Sequence, residues 1–580
     1  MEVGAVCKTG LPSIDQPWRK YYTEDALQTE IPFKTVYHTL VDSNPPSEKS
    51  ALLYFGRKIS FQELYTHIQE AACAFTALGV KEGDIVTIFS SNTPETVYCI
   101  YALNYLGAVS NLEYVTVSGK DAVAAVERCQ SRVVLVLDAL QDQFVALDKC
   151  GTVEHIISLP AAASMPLPIR IVSKVRLKKH AVPLAKGLSY ADFIRAGRGK
   201  AAVESPFRSN APAFIVHSGG TSGVPKGVLL SNENISYIDW AFLFNSPDVE
   251  SGDIYMACIP LFHAFGLCMG VVGPLAHGLS IVLTPQFSED VLISSFKKYK
   301  PAYIIASGAH IPALINDPAI QKMDLSFFKT CGYGGSPLSV AQEIELDQFL
   351  QAHNAPARPS AGYGMSEVSS AICAERNCYY GKAGSVGIPL CQVNVKVLDV
   401  DTGEELGYNQ SGELCFSAPS LMLGYFKNEE ETANALFTDE EGNRWVHTGD
   451  LGRVDEDGFV FITGRLKRIY SVRDGKGGTM FKLFPDYVAS EIDKVENVLQ
   501  SAVICLEHPD YKHVAVAYVV LKDPAKEAET DKAIRDYMAE TLPRHSIPKA
   551  IRYLSAMPQT AIGKPDFREL ESDAVELTIV

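Results

Sequence analysis

The sequence predicts an α/β fold: a large N-terminal domain with parallel βαβ units plus a β-rich subdomain, followed by a small α+β C-terminal domain. Three observations carry this prediction. Strand-length apolar runs alternate with helix-patterned segments over 84–137 and again over 279–306; the chain is turn-rich and β-like from Ser411 to Ile462; and past Arg465 two strand runs precede a charged amphipathic helix. A chain of 580 residues is also too long for one compact core.

Ile85 to Phe89 reads as a strand, Thr93-Pro94 as an N-cap and first-turn proline, and the apolar positions through Leu106 as a helix ending at Gly107. Asp121 opens a second helix to Cys129, and Val133 to Leu137 is the next strand. The same grammar returns as a strand from Leu279 to Leu283, a helix from Ser288 to Lys298 and a strand from Ala302 to Ala306. Ser411-Gly412-Glu413-Leu414 is a turn into a short strand. Near the C-terminus, Ser501 to Leu506 and Val514 to Leu521 read as strands, and Ala525 to Leu542 as the amphipathic helix.

The segment from Met165 to Lys200 carries nine Lys and Arg residues in an otherwise acidic chain. It reads as a solvated connection; the alternative is a weak membrane-surface contact, with basic residues interleaved among Ile171, Val175 and Leu177. Pro166, Pro168 and Pro183 are expected to limit any helix there.

Hydrophobic residues make up 47% of the chain, and the net charge of −16 argues against a nucleic-acid partner, which would need a basic face. The 13 cysteines include no CxxC pair and no zinc-like spacing, so they read as small core residues of a reducing compartment. The first residues lack the apolar core of a signal peptide, and the longest apolar stretch, Gly266 to Leu283, is broken by Pro274 and His277. A cytoplasmic location is expected.

The stretch from His217 to Gly227 follows the apolar run Ala213 to Val216 and reads as strand, glycine loop and lysine. Gly219, Gly220, Gly223 and Gly227 let backbone N–H groups approach an anion; Ser218, Thr221 and Ser222 add hydroxyls, and Lys226 adds a charge. Gly227 follows Lys226 where a Walker loop would carry a metal-binding Ser or Thr, so a metal needs a carboxylate from elsewhere.

This loop resembles the signature of the adenylate-forming superfamily, which holds acyl-CoA synthetases, peptide-synthetase adenylation domains and luciferases. Further matches follow in order and span most of the chain. Pro260 to Gly266 is similar to the family's aromatic-His segment, which implies that Phe262 and His263 line the acyl pocket. No Asp stands there to pair an ammonium, so the resemblance favours an aliphatic or aryl acid over an α-amino acid. Gly332 to Pro337 follows the strand-like run from Phe327 to Cys331, and implies that Gly334, Gly335 and Ser336 pass over the adenine. Tyr363-Gly-Met-Ser-Glu implies Tyr363 on adenine, Ser366 on the α-phosphate and Glu367 as the Mg²⁺ ligand. Thr448-Gly-Asp implies Asp450 on the ribose, and Gly464-Arg465-Leu466-Lys467 implies a nucleotide contact from Arg465 and a hinge at Lys467. Gly563-Lys564 is similar to the motif whose lysine reaches the carboxylate and α-phosphate.

The resemblance therefore implies a large ATP- and acyl-binding domain at 1–464, a hinge at 465–467 and a mobile domain at 468–580. It implies activation of a carboxylic acid by ATP and Mg²⁺ to an acyl-adenylate, then transfer to CoA. Two departures touch the second step: the loop after Arg468 is longer than usual, and Tyr487 and Ala489 replace expected glutamates. A carrier-protein pantetheine is the alternative acceptor, and a non-catalytic nucleotide-binding scaffold is a third reading, opposed by Glu367 and Lys564. Ser471 stands where luciferases carry a second lysine.

Overall fold

β-Branched and aromatic residues fill the strand runs and polar caps open the helices between them, so most local preferences agree with a layered α/β arrangement. The computed structural model describes residues 9–177, 182–218, 226–245, 249–375, 381–473, 479–559 and 565–574. Ile85–Phe89 is a strand, and Thr93 caps the helix Pro94–Tyr105 by accepting from the Thr96 amide at 3.3 Å. This helix is buried along nearly its whole length, packed between the helices Val36–Ser43 and Phe61–Ala77. Gly107, at φ +70°, ends it in the left-handed conformation that glycine tolerates.

One sheet runs in the order Gly424–Tyr425, Lys226–Ser231, Pro212–Ser218, Val109–Leu112, Ile85–Phe89, Val133–Leu137, His155–Leu159, Gly187–Ser189. It is parallel from Pro212–Ser218 onward, and the first three strands pair antiparallel. A second sheet is parallel from Ser50–Tyr54 through Ser280–Val282, Ile254–Ala257, Tyr303–Ser307 and Thr330–Gly334 to Pro359–Met365, with antiparallel strands at both edges. The β-rich subdomain is a sheet built on Arg444–Val454, which pairs with Gly412–Ser417 on one side and with Leu436–Thr438 and Val460–Arg465 elsewhere along its length.

After a single 3₁₀ turn at Leu466–Arg468 comes the hairpin Tyr470–Arg473 and Met480–Leu483. The sheet of Val498–His508, Lys512–Leu521 and Ala550–Leu554 is covered on one face by the helices Pro485–Ile492 and Glu527–Thr541, through Val488, Ile492, Ile534 and Met538. Its other face packs Tyr518 against Leu570.

Three local expectations are corrected. The helix expected from Asp121 opens at Gly119, after Ser118 in the N-cap position. Gly332, Tyr333 and Gly334 lie inside the strand Thr330–Gly334 rather than in a turn after it. The prolines do not prevent the helix Leu167–Leu177, because Pro168 falls in its first turn, where a missing N–H costs little. No helix among the described residues is long and apolar enough to cross a membrane. The cysteines among them are free thiols, all buried except Cys73.

Candidate active site

The strands Pro212–Ser218 and Lys226–Ser231 pair with Ser218 opposite Lys226, so the glycine loop leaves and re-enters the sheet at one point. Gly219, Gly220, Thr221, Ser222 and Gly223 lie outside the described residues, as does Lys564. Lys226 Nζ forms an ion pair with Glu431 and sits 4.9 Å from the centroid of the Tyr425 ring. That pairing holds the Glu431 carboxyl below the usual carboxylate range, with Lys467 contributing further positive charge nearby. Tyr425, opposite Val228 on the adjoining strand, donates its hydroxyl to Glu367 Oε1 at 2.7 Å. Glu367 is buried on the single turn Ser366–Val368 that ends the strand Pro359–Met365. Lys226, Tyr425 and Glu367 thus form one continuous run from the foot of the glycine loop to Ser366.

The second group is built across strands. Asp450 lies opposite Arg465, whose Nε is 3.0 Å from Asp450 Oδ1, and the Tyr363 hydroxyl donates to Oδ2 at 2.6 Å. Burial and the neighbouring Asp450 push the Tyr363 phenol far above its ordinary range, and Asp450 in turn favours the charged form of Arg465. The turn before Asp450 is pinned by Glu413, which accepts from the Gly449 amide at 3.0 Å and contacts His447 Nδ1 at 2.9 Å. Glu413, Cys415 and His447 also bring three ligand atoms close together; as they stand, Glu413 is bonded to the Gly449 amide and to His447, and burial raises the Cys415 thiol above its ordinary range.

Tyr114 joins the acyl-pocket candidates to the glycine loop. Its ring centroid lies 5.3 Å from that of Phe262 and 5.1 Å from that of His263, and its hydroxyl donates to the His217 carbonyl at 3.0 Å. Beneath it, His217 Nε2 faces Asn111 Oδ1 at 2.8 Å and Glu113 Oε1 at 3.0 Å. Burial would raise the Glu113 carboxyl, but His217 and Arg128 outweigh it and hold it below its ordinary range.

At the expected adenine segment, a side chain on Gly334 would meet the Gly362 carbonyl oxygen at 3.0 Å and the Phe265 ring at 3.4 Å, and Gly335 has φ +76°. The Ser336 hydroxyl points elsewhere: it bonds Ser307 Oγ at 2.7 Å and accepts from the Ala309 amide at 3.0 Å. Sequence reasoning missed Tyr425, Glu431, Tyr114, Asn111 and Glu113. A Gly-Tyr pair in a strand two residues long, Gly424–Tyr425, carries no periodicity that would have marked it.

The donor chemistry fits a nucleotide with Mg²⁺. A buried carboxylate with two hydrogen-bonding partners suits a ribose diol, and Lys226 suits a phosphate. Mg²⁺ commonly takes one or two protein carboxylates plus phosphate oxygens and water, a sparse set that Glu367 beside Ser366 matches.

Residues 41–426 match the model of the AMP-binding enzyme family, and residues 488–564 that of the AMP-binding enzyme C-terminal domain. The chain is 26% identical over 573 residues to a long-chain-fatty-acid–CoA ligase of Bacillus subtilis (strain 168), across 97% of this chain and 98% of that protein. It is 30% identical over 535 residues to 4-coumarate–CoA ligase-like 2 of Arabidopsis thaliana, across 89% and 86%. The anthranilate CoA ligase AuaEII in complex with anthranoyl-AMP superposes with a TM-score of 0.77 at 21% identity, covering 95% of this chain and 99% of that one. ATP-bound MatB from Rhodopseudomonas palustris gives 0.74 at 21%, with 93% and 99% covered. These two likenesses establish the fold, and the family match covers more than half of the sequence. The chain belongs to the AMP-binding enzymes, the adenylate-forming superfamily, in its acyl-CoA ligase branch.

Proposed function

We propose that the protein is an AMP-forming acyl-CoA ligase for an aliphatic or aryl carboxylic acid. One carboxylate oxygen of the acid attacks the α-phosphorus of ATP, the bond to the β-phosphate breaks and pyrophosphate leaves. The CoA sulfur then attacks the acyl carbon, AMP leaves, and a thioester forms. The observation that carries this reading is a pair of clusters, Lys226–Tyr425–Glu367 and Tyr363–Asp450–Arg465, whose members Tyr363 and Glu367 stand four residues apart at the end of one strand.

Lys226 and the glycine loop hold the phosphates, Asp450 holds the ribose, and Tyr363 packs on adenine with Gly334 and Gly335 beside it. Ser336 shapes that segment through Ser307 instead of offering its hydroxyl to the ligand. Ser366 meets the α-phosphate, and Glu367 holds Mg²⁺, which when bound offsets the repulsion between carboxylate and phosphate. Lys564 adds positive charge at the reacting centre. Phe262, His263 and Tyr114 give the acyl group an aromatic wall; Phe262 is buried, and none of the three carries a carboxylate to pair an ammonium. Arg465 to Lys467 acts as the hinge between a large domain at 1–464 and a mobile one at 468–580.

The altered segment after Arg468 supports a second acceptor reading, a carrier-protein pantetheine. Pyrophosphate release measured over a panel of fatty, aryl and amino acids, with and without CoA, tests both. Acid-dependent release with thioester formation on CoA is expected. Release with no thioester on CoA favours the carrier protein, and no release with any acid overturns the proposal.

A further inference from the structure

We propose that Glu413, Cys415 and His447 form a binding site for a borderline-soft divalent cation such as Zn²⁺, made of residues other than the expected Mg²⁺ ligand Glu367. The three stand on the paired strands Gly412–Ser417 and Arg444–Val454, with Cys415 directly opposite His447 and Glu413 two residues along from Cys415. Strand register therefore sets their spacing, and one ligand atom from each lies within 4.8 Å of the other two. Cys415 Sγ is 3.5 Å from His447 Nδ1, which matches the S–N edge of about 3.6 Å in a tetrahedral zinc site. Glu413 Oε2 is 2.9 Å from Nδ1, so that contact has to open by about 0.5 Å to reach the corresponding O–N edge.

The surroundings support a ligand role. Glu413 Oε1 accepts from the Gly449 amide at 3.0 Å, which leaves Oε2 to take a cation while the turn before Asp450 stays pinned. A carboxylate ligand is ordinarily held by such a second bond. The Phe437 ring, its centroid 4.6 Å from that of His447, steadies the imidazole. Side-chain exposure falls from 36% at His447 and 13% at Glu413 to nothing at Cys415, so a cation enters past the imidazole and meets the thiol last. Lys396, opposite Cys415 on the strand Asn394–Leu398, already has a partner in Asp439 at 3.3 Å. On binding, the S–H bond breaks, the proton leaves to water and the sulfur lone pair goes to the cation, which offsets the burial that otherwise favours the neutral thiol. A thiolate and an imidazole select Zn²⁺ or Co²⁺ over Mg²⁺.

The test is a Co²⁺ titration of the full chain, reduced and metal-free, followed by absorption. A thiolate-to-cobalt charge-transfer band with the strong visible absorption of a tetrahedral ion is expected, abolished by Zn²⁺ and untouched by excess Mg²⁺. Cys415→Ser should lose the charge-transfer band, and His447→Ala should weaken Co²⁺ binding about tenfold or more. Where a variant fails to fold, zinc-edge anomalous scattering from wild-type crystals grown with Zn²⁺ decides, with a peak expected between the three side chains. No thiolate band in the wild type, a band that survives in Cys415→Ser, binding undiminished in His447→Ala, displacement by Mg²⁺, or zinc density only elsewhere overturns the proposal. None of these readouts uses ATP or an acid, so they stand apart from the test of the ligase reading.

Discussion

Arg465 Nε lies 3.0 Å from Asp450 Oδ1 across two antiparallel strands, while Tyr363 occupies the other oxygen of the same carboxylate at 2.6 Å. Asp450 is thus oriented before any ligand arrives. Arg465→Ala removes a charge-assisted bond from a buried carboxylate, and the KM for ATP is expected to rise about 10- to 100-fold. Steady-state pyrophosphate exchange at varied ATP measures this; an unchanged KM would remove Arg465 from the nucleotide site.

Tyr425 orients Glu367 without itself offering the metal an anionic ligand. Tyr425→Phe is expected to raise the Mg²⁺ concentration for half-maximal activity about tenfold, with activity restored at saturating Mg²⁺. Glu367→Gln should not be restored, because a neutral amide is a weaker ligand for a hard cation. A magnesium titration of both variants separates positioning from ligation.

Lys564→Ala is expected to lower adenylate formation by ~10²–10³ while leaving the fold intact, through loss of a charge at the reacting centre. Thioester formation from a pre-made acyl-adenylate should survive. Normal pyrophosphate exchange in this variant would sink the assignment.

The hairpin of Tyr470–Arg473 and Met480–Leu483 is tied to the large domain by Lys482, whose Nζ lies 2.7 Å from Asp401 Oδ2. Bringing that hairpin to an acceptor requires rotation at the turn Leu466–Arg468. A 3₁₀ turn has φ near that of proline, so Lys467→Pro is expected to fix the present arrangement. Pyrophosphate exchange should persist and transfer to CoA should fall. Deleting Asp474 to Thr479 should lower transfer alone; if neither half-reaction changes, the loop does not line the acceptor path.

Glu375 braces the strand that carries Tyr363, accepting from the Ala361 amide at 3.1 Å. Burial, reinforced by Glu343 and opposed by that amide, pushes its carboxyl up to about 7 from an ordinary 4.5. The folded state therefore holds a proton that the unfolded state releases. The associated stability is full below an ordinary carboxylate pKa and is lost as pH rises through about 7. Glu375→Gln is expected to match the wild type near pH ~5 and exceed it near pH ~8, by on the order of 3 kcal/mol. Thermal melts at the two pH values check this, and a difference independent of pH would contradict it.

The strands and helices around 85–137 were legible because caps, prolines and apolar periods agreed with the packing that formed. The register around Gly332 was not, since glycines inside a strand read as a turn when only local preference is considered. Tyr363, Asp450 and Arg465 could be named from motif order, but their mutual contacts come from strand pairing, which the sequence does not display. Tyr425, Tyr114 and Glu113 act through partners more than 50 residues away, for which a single chain gives no signal. The helix at Leu167 formed despite its prolines because position within a helix, more than proline content, sets their cost.

The pairing of Lys226 with Glu431 also bears on how a nucleotide arrives. With Arg465 likewise held by Asp450, both cations are balanced at rest in a chain of net charge −16. A polyphosphate that is to meet Lys226 must first displace Glu431 from it. Capture is then an exchange of partners at contact instead of long-range steering.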